Sequence, residues 1–161
     1  MKYVVIISLF TLCSSLCLKK KTHLGNWELE LIKIDTETIF DRDDYTISLQ
    51  FNYSLNNPKT KDDSIAVENF AKSKFEQSKS LKIQFDTDST FITTKVRSGG
   101  RIDPNTEELG VYYISNDSLY MEIPTRNNYK MTLNYNRKKD FIYSENKAGE
   151  RTIYIQYRRI K

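Results

Sequence analysis

Apolar and polar residues alternate with a period of two along most of the chain, and this pattern predicts strands. Such alternation is typical of β-strands that bury one face and leave the other in water. Turn-forming residues separate the runs, for example at 86–89 and 116–117. From about residue 80 onward the runs recur at intervals of roughly ten residues, which indicates a meander or a barrel. The clearest alternating runs are 27–31, 47–53, 81–85, 119–123, 131–135 and 153–157.

One segment has helical periodicity instead. Residues 62–80 contain no Gly or Pro and place Val67, Phe70, Ala71 and Phe75 on one helical face, opposite Lys and Glu. We predict one short helix here, between the second and third strands. It is expected to pack across an open end or edge of the sheet and to bury its two Phe side chains. The alternative is a lid that gates a ligand site.

The N-terminal segment is typical of a secretory signal. It has a basic start at 1–2, an apolar run at 3–12 that is too short to span a bilayer, and small residues at 13–17. We therefore expect an exported protein whose mature part forms one domain of ordinary size. The predicted divisions are a signal peptide at 1–17, a basic linker at 18–23 and the folded domain at 24–161.

Both cysteines of the chain lie in this segment, so the predicted domain has neither a disulfide nor thiolate chemistry. Cys17 directly follows the apolar run, where a bacterial lipoprotein signal has the cysteine that becomes lipidated. Cys13 matches that pattern no better, and Leu16 departs from the small residue expected before the cysteine. We predict a lipid anchor on Cys17. Release as a soluble protein, after cleavage behind Ser15 or Cys17, is the alternative.

The charge distribution argues against a nucleic-acid partner. The chain has 25 Lys and Arg against 21 Asp and Glu, a net charge of +4. Lys2 and the triplet at 19–21 account for the whole excess, so residues 22–161 are neutral overall. A neutral domain lacks the basic excess that phosphate binding requires. The triplet is either a solvated linker or a segment near anionic lipid headgroups.

The start and end of the predicted domain carry a family resemblance. Gly25-Asn26-Trp27 resembles the Gly-x-Trp first strand of lipocalin-like proteins. Those families place an Arg near the end of the last strand, stacked over the Trp. Arg159 shares the strand parity of the apolar residues in 153–157, so it is the first choice for this partner, and Arg158 is the second.

A second stretch strengthens the resemblance. Residues 109–119 are similar to the Gly-x-Tyr strand, short turn and Leu-starting strand of small secreted lipocalin-like lipoproteins from Bacteroidetes-type bacteria. The resemblance implies an all-β fold, an antiparallel up-and-down barrel of about eight strands, here with one short helix inserted after the second strand. In those lipoproteins acidic residues after the lipidated Cys are linked to surface export. The lysine triplet that stands there instead argues for an anchor that faces the periplasm.

The fold that the resemblance implies has an interior that holds one small apolar molecule or is filled by side chains. The residues that we expect to line such a ligand site are Phe51, Tyr53, Tyr113, Met121 and Tyr135. A filled aromatic core is the competing interpretation of the same residues.

Other candidate chemistry is weaker. The carboxylates at 41–44 lack the spacing of a calcium loop and indicate a solvated turn. His23 is the only His of the chain and is predicted to lie in the linker, which is poorly placed for a catalytic triad. We predict no catalytic residue, metal ligand or cofactor. The first hypothesis is a non-enzymatic barrel for a small apolar ligand. The alternatives are an envelope protein-interaction module with a filled barrel and a carboxylate-dependent hydrolase.

Overall fold

The computed structural model describes residues 23–97, 101–116, 118–126, 129–136 and 138–161. The predicted signal at 1–17, the lipidation site Cys17 and the linker residues 18–22 lie outside the described residues. Neither described helix has the length and apolar character needed to cross a bilayer. The elements in chain order are β1 (Gly25–Ile34), β2 (Glu37–Asp41), α1 (Tyr45–Asn56), α2 (Lys61–Lys79), β3 (Lys82–Phe85), β4 (Thr90–Val96), β5 (Ile102–Ser115), β6 (Ser118–Ile123), β7 (Tyr129–Asn136), β8 (Phe141–Ala148) and β9 (Arg151–Arg159).

Eight of the strands form a closed antiparallel barrel. From β3 to β9 each strand pairs with the next, and β1 pairs with both β3 and β9 and so closes the circle. The ninth strand, β2, pairs with the second half of β1, where β3 no longer reaches. The predicted all-β, up-and-down barrel of about eight strands is confirmed, and the helices follow the second strand as expected.

The second strand itself is not where the alternation placed it. Residues 47–53 belong to helix α1 and not to a strand. Asp44 caps the helix by accepting a hydrogen bond from the Thr46 backbone N–H, and Asn57 ends it in the left-handed conformation. The residues that α1 buries are polar, Ser48 and Asn52, four positions apart. Ser48 donates to the Ile39 carbonyl of β2 and Asn52 donates to the Ser48 carbonyl, so both are buried with hydrogen bonds made, and the prediction of a strand from the apolar alternation is wrong here.

Helix α2 matches the predicted helix within a residue or two. Thr60 and Asp63 form a capping box at its start, which satisfies two backbone N–H groups that would otherwise lack partners. Val67, Ala71 and Phe75 are buried, as predicted. The prediction that Phe70 is buried is wrong, because its side chain is 52% exposed at the edge of the packed face. Two helices rather than one therefore stand between β2 and β3.

The two ends of the barrel are built differently. We call the end that contains the start of β1 and the end of β9 the closed end, and the opposite end the open end. Phe85 at the end of β3 pairs with Gly25, so it also lies at the closed end. Register shifts occur toward the open half, at Leu29/Leu31 and at Thr94/Lys95. Such bulges bend strands and change the barrel's curvature locally.

Candidate functional site

The open half of the barrel contains a cavity of about 920 Å³. Volumes of roughly 300–1,000 Å³ are typical of small-molecule sites, so this space is large enough for a ligand. Its walls come from inward-facing residues of β3, β4, β5, β6, β7 and β9. Eight of the lining residues are apolar: Leu81, Ile83, Phe91, Val96, Met121, Ile123, Met131 and Ile155.

One ion pair is built into the cavity wall. Glu108 projects inward from β5 and is buried, and Arg126 reaches it from the turn between β6 and β7. Arg126 Nε donates to Glu108 Oε1 at 2.9 Å, and Nη2 lies 2.6 Å from Oε2 as an ion contact without an aligned hydrogen bond. The Arg126 guanidinium also lies 5.9 Å from the ring centroid of Tyr129. The pair ties the β6–β7 turn to β5 at the cavity wall. Its formation requires that both charged groups lose their hydration, which is unfavourable.

Tyr157 gives the cavity a second polar feature. Its side chain is 7% exposed and lines the cavity from β9. Among the residues that the structure describes, its hydroxyl has no hydrogen-bond partner. Burial raises the pKa of this hydroxyl above its ordinary value, and the nearby Tyr129 hydroxyl raises it further. The group therefore stays protonated and is a hydrogen-bond donor at the cavity wall.

The closed end is filled and sealed around Trp27, whose side chain is fully buried. Its indole Nε1–H donates to the His23 carbonyl at 2.9 Å, and the Tyr135 ring meets it edge-on at 6.1 Å. The Arg159 guanidinium carbon lies 4.3 Å from the Trp27 ring centroid, so Arg159 and not Arg158 occupies the stacking position. Arg159 also donates to the Leu24 carbonyl at 2.6 Å.

Gly25 makes this stack possible. Its φ of +109° lies in a region that side-chain-bearing residues rarely adopt, and a Cβ at this position would lie 3.3 Å from Arg159 Nη1. Trp27 and Arg159 are direct partners in the pairing of β1 with β9. The three structural residues singled out in the sequence, Gly25, Trp27 and Arg159, therefore lie together at the closed end.

His23 is part of this closed end and is not in a linker. It is buried, and its Nε2 lies 3.2 Å from the Tyr112 hydroxyl. Because Tyr112 donates its own proton to the Asp86 carbonyl at 2.6 Å, its oxygen accepts from His23. His23 also meets the rings of Phe85 and Tyr112 edge-on. The structure therefore places His23, which was predicted to lie in the linker, among the packed residues of the closed end, and its contacts are those of a structural residue.

Of the five residues expected to line a ligand site, the structure places one in the cavity, Met121. Tyr135 points inward but belongs to the closed end, where its hydroxyl donates to Asp140 Oδ1 at 3.0 Å. Tyr113 lies on the outer face of β5 and is 63% exposed, because Gly110 and Tyr112 take the inward positions of that strand. The predicted interior position of Tyr113 is wrong.

The other two expected site residues lie outside the barrel, because residues 47–53 are helical. Phe51 lines a groove of about 270 Å³ between the helices and β1 and β2. Tyr53 donates from its hydroxyl to Glu68 Oε1 at 2.8 Å and so ties α1 to α2. Their predicted interior positions are wrong, and neither reaches the cavity.

Several cavity residues had a sequence signal that pointed to the interior. Ile83, Ile123, Met131 and Ile155 occupy the apolar positions of the alternating runs. Glu108 had no such signal, because an acid on a strand is normally assigned to the solvent face.

The acidic candidates form local structure and no metal site. Among the described residues, no group of three or more His, Cys, Asp or Glu side chains is placed to hold a metal ion. Asp44 caps α1, and Asp43 pairs with Arg158 at 2.6 Å. Glu108 is the one carboxylate among the described residues of the cavity wall, so a two-carboxylate arrangement of the kind that glycosidases use is not formed there.

No protein-family model, no curated protein and no solved structure matches the chain. The functional conclusion therefore rests on the fold and the site.

Proposed function

We propose that this protein is a lipocalin-like barrel that binds a small, largely apolar ligand in the cavity of its open half. The observation that carries the proposal is the cavity itself, about 920 Å³ of space whose wall includes eight apolar side chains and two tyrosines. A barrel whose aromatic residues had filled the whole interior would leave no such space. Contact with a ligand buries apolar surface on both sides, which contributes about 25 cal/mol per Å².

Two further features support a ligand site. The Tyr157 hydroxyl faces the cavity without a hydrogen-bond partner among the described residues, so it is available to donate to a bound molecule. The cavity walls also include Met121 and Met131, whose flexible side chains adapt to differently shaped apolar molecules.

Calorimetric titration with dodecanol, an uncharged single-chain alcohol, tests the proposal. We expect saturable binding, and we expect Ile123→Trp to weaken it about tenfold or more by filling the cavity. Val111→Trp is the matched control, because Val111 is exposed on the outer face of β5. Its affinity for dodecanol is expected to equal that of the wild type.

Folding of each variant is checked by circular dichroism, and Ile155→Phe replaces Ile123→Trp if the latter does not fold. Absence of dodecanol binding, or equal affinity in the cavity-filling and control variants, would overturn the proposal.

We propose further that the chain is exported and anchored through Cys17, on the grounds of its N-terminal sequence alone. Mass spectrometry of the membrane fraction is expected to find acyl chains on Cys17. Cys17→Ser should abolish the modification, and Cys13→Ser, the matched control, should leave it intact. A mature N-terminus at Leu16 or Leu18 without acyl chains would contradict the anchor.

A protein-interaction module remains the second candidate function, and one observation favours it. Apolar side chains are exposed in a row on the outer face of β5, at Leu109, Val111 and Tyr113. Tyr113 stacks on Tyr120 of β6 with ring centroids 4.8 Å apart. If this outer face is the functional surface, Tyr113→Lys should impair binding of a partner protein and leave dodecanol affinity unchanged. Ile123→Trp should impair dodecanol affinity and leave partner binding unchanged.

A further inference from the structure

The charged residues that line the cavity are unequal in number. Three are cations, Lys95, Arg97 and Arg126, and one is a carboxylate, Glu108. Arg126 and Glu108 hold each other through two contacts, so their charges cancel within the wall. Arg97 Nη2 lies 2.6 Å from Asp103 Oδ2, which neutralises a second cation. The charge that remains is that of Lys95.

Lys95 stands at the register shift between β4 and β5, and its side chain is half-buried. Asp103 is its partner across the strands, but two hydrogen bonds from Arg97 already occupy the Asp103 carboxylate. Within the described part of the chain, no carboxylate lies within ion-pair distance of the Lys95 ammonium group. The cavity wall thus carries one unbalanced positive charge.

A second polar group of the cavity wall, the Tyr157 hydroxyl, is also a donor. The Tyr157 hydroxyl faces the same cavity and keeps its proton because burial raises its pKa. A phenol in this state donates a hydrogen bond to an oxygen atom, and an ammonium group cannot serve as its acceptor. Lys95 and Tyr157 therefore favour a ligand that brings oxygen atoms and negative charge.

We propose that the ligand is a single-chain amphiphile with a negatively charged head, a carboxylate or a phosphate, and that Lys95 is the residue that selects this charge. The inference rests on the proposed function and names its ligand class. The apolar walls take the chain, and Lys95 balances the head. A cationic head would meet a like charge, and the one described carboxylate of the wall is already held by Arg126.

The test compares ligands that share one alkyl chain and differ in the head: dodecanoate, dodecyl phosphate, dodecanol and dodecyltrimethylammonium. Each is titrated by calorimetry, below its micelle concentration, into the wild type, Lys95→Gln and Lys130→Gln. Lys130 is the matched control, because it is an exposed lysine on β7 and is not among the residues that line the cavity. Both variants remove one positive charge from the protein.

We expect Lys95→Gln to weaken binding of at least one anionic ligand about tenfold and to change dodecanol affinity less than about twofold. The ammonium ligand should bind the wild type most weakly and gain affinity in Lys95→Gln. The anion that loses more affinity identifies the head as carboxylate or phosphate.

Three outcomes would overturn the inference. Unchanged anion affinity in Lys95→Gln, with dodecanol still bound, removes the charge selection and leaves the proposed function standing. An equal loss in Lys130→Gln shows that the effect is one of net charge. If none of the four ligands binds the wild type, the proposed function and this inference both fail.

Discussion

The two halves of this barrel use the same strands and the same inward–outward alternation, yet one half is filled and the other is hollow. At the closed end the inward side chains are large aromatic rings, and Trp27 is fully buried beneath Arg159. At the open end the apolar side chains around a cavity of about 920 Å³ are mostly medium-sized aliphatic residues and Met. The alternation of apolar and polar residues therefore determines which face of a strand is buried, whereas side-chain volume determines whether the barrel interior is filled.

Packing at the closed end depends on one small residue as well as on large ones. Phe91 and Gly110 are direct partners across β4 and β5, and the Phe91 ring occupies the space that a Cβ at Gly110 would need. A methyl group at position 110 would overlap that ring and come within 2.7 Å of the Glu122 carbonyl. The ring of Phe91 then packs against Phe85 at 6.0 Å between centroids. Phe91 thus lies between the filled half and the cavity and is one of the residues that line the cavity.

The largest effect is expected at the centre of the closed end. Trp27→Ala should destabilise the protein by about 3–5 kcal/mol, because it removes a buried ring together with the stacking of Arg159 and the hydrogen bond to His23. Urea unfolding followed by circular dichroism measures the change. Tyr113→Ala on the exposed outer face is the control, with a shift within about 0.5 kcal/mol. Equal losses in the two variants would refute the account of the closed end.

A matched pair on a single strand compares the two halves directly. Leu133 and Met131 both face inward from β7, and Leu133 is fully buried whereas Met131 lines the cavity. We expect Leu133→Ala to cost about 2–5 kcal/mol and Met131→Ala about 1 kcal/mol or less, since the latter only enlarges existing space. Urea unfolding gives both values. If the Met131 variant lost as much stability as the Leu133 variant, the open half would be as tightly packed as the closed half.

Sequence patterns predicted most of the closed end and the barrel. Strand parity placed Arg159 over Trp27, and the alternating runs gave five of the nine strands. The failure at 47–53 has a physical cause: the apolar alternation competed with helix-capping signals at Asp44 and Asn57, and the caps prevailed. Capping residues carry information that a count of apolar positions leaves out.

The candidate site was harder to predict than the fold. Tyr113 was misplaced because β5 carries apolar residues on both faces, with Val111 and Tyr113 outward and Tyr112 inward. The buried pair of Glu108 and Arg126 joins two residues 18 positions apart, on different elements. The bulges at Leu29/Leu31 and Thr94/Lys95 lie toward the open half, and no local sequence pattern predicts them.

The smallest expected effect concerns the ion pair between Asp140 and Arg159 at the closed end. The hydrogen bond from Arg159 holds the pKa of the Asp140 carboxyl below its usual range, and Tyr135 adds to this. A carboxyl whose folded-state pKa is lowered contributes stability above its unfolded pKa of about 3.9, and the contribution is lost as pH falls through the folded pKa. The wild type should therefore lose stability as the pH falls from about 6 to about 3, and Asp140→Asn should lose less. The difference between the two proteins should be under about 1 kcal/mol, because the Asp140–Arg159 pair is half exposed. Urea unfolding at both pH values checks this, and an unchanged or steeper pH dependence would contradict it.

The central claim, that the open half of the barrel is a ligand cavity, has a direct spectroscopic test. The chain has three methionines, and the two that the structure describes, Met121 and Met131, both line the cavity. In protein isotope-labelled at the methionine methyl groups, bound dodecanol is predicted to give intermolecular nuclear Overhauser effects to both of these methyls. Binding of dodecanol without contacts to either methyl, or no binding at all, would contradict the account.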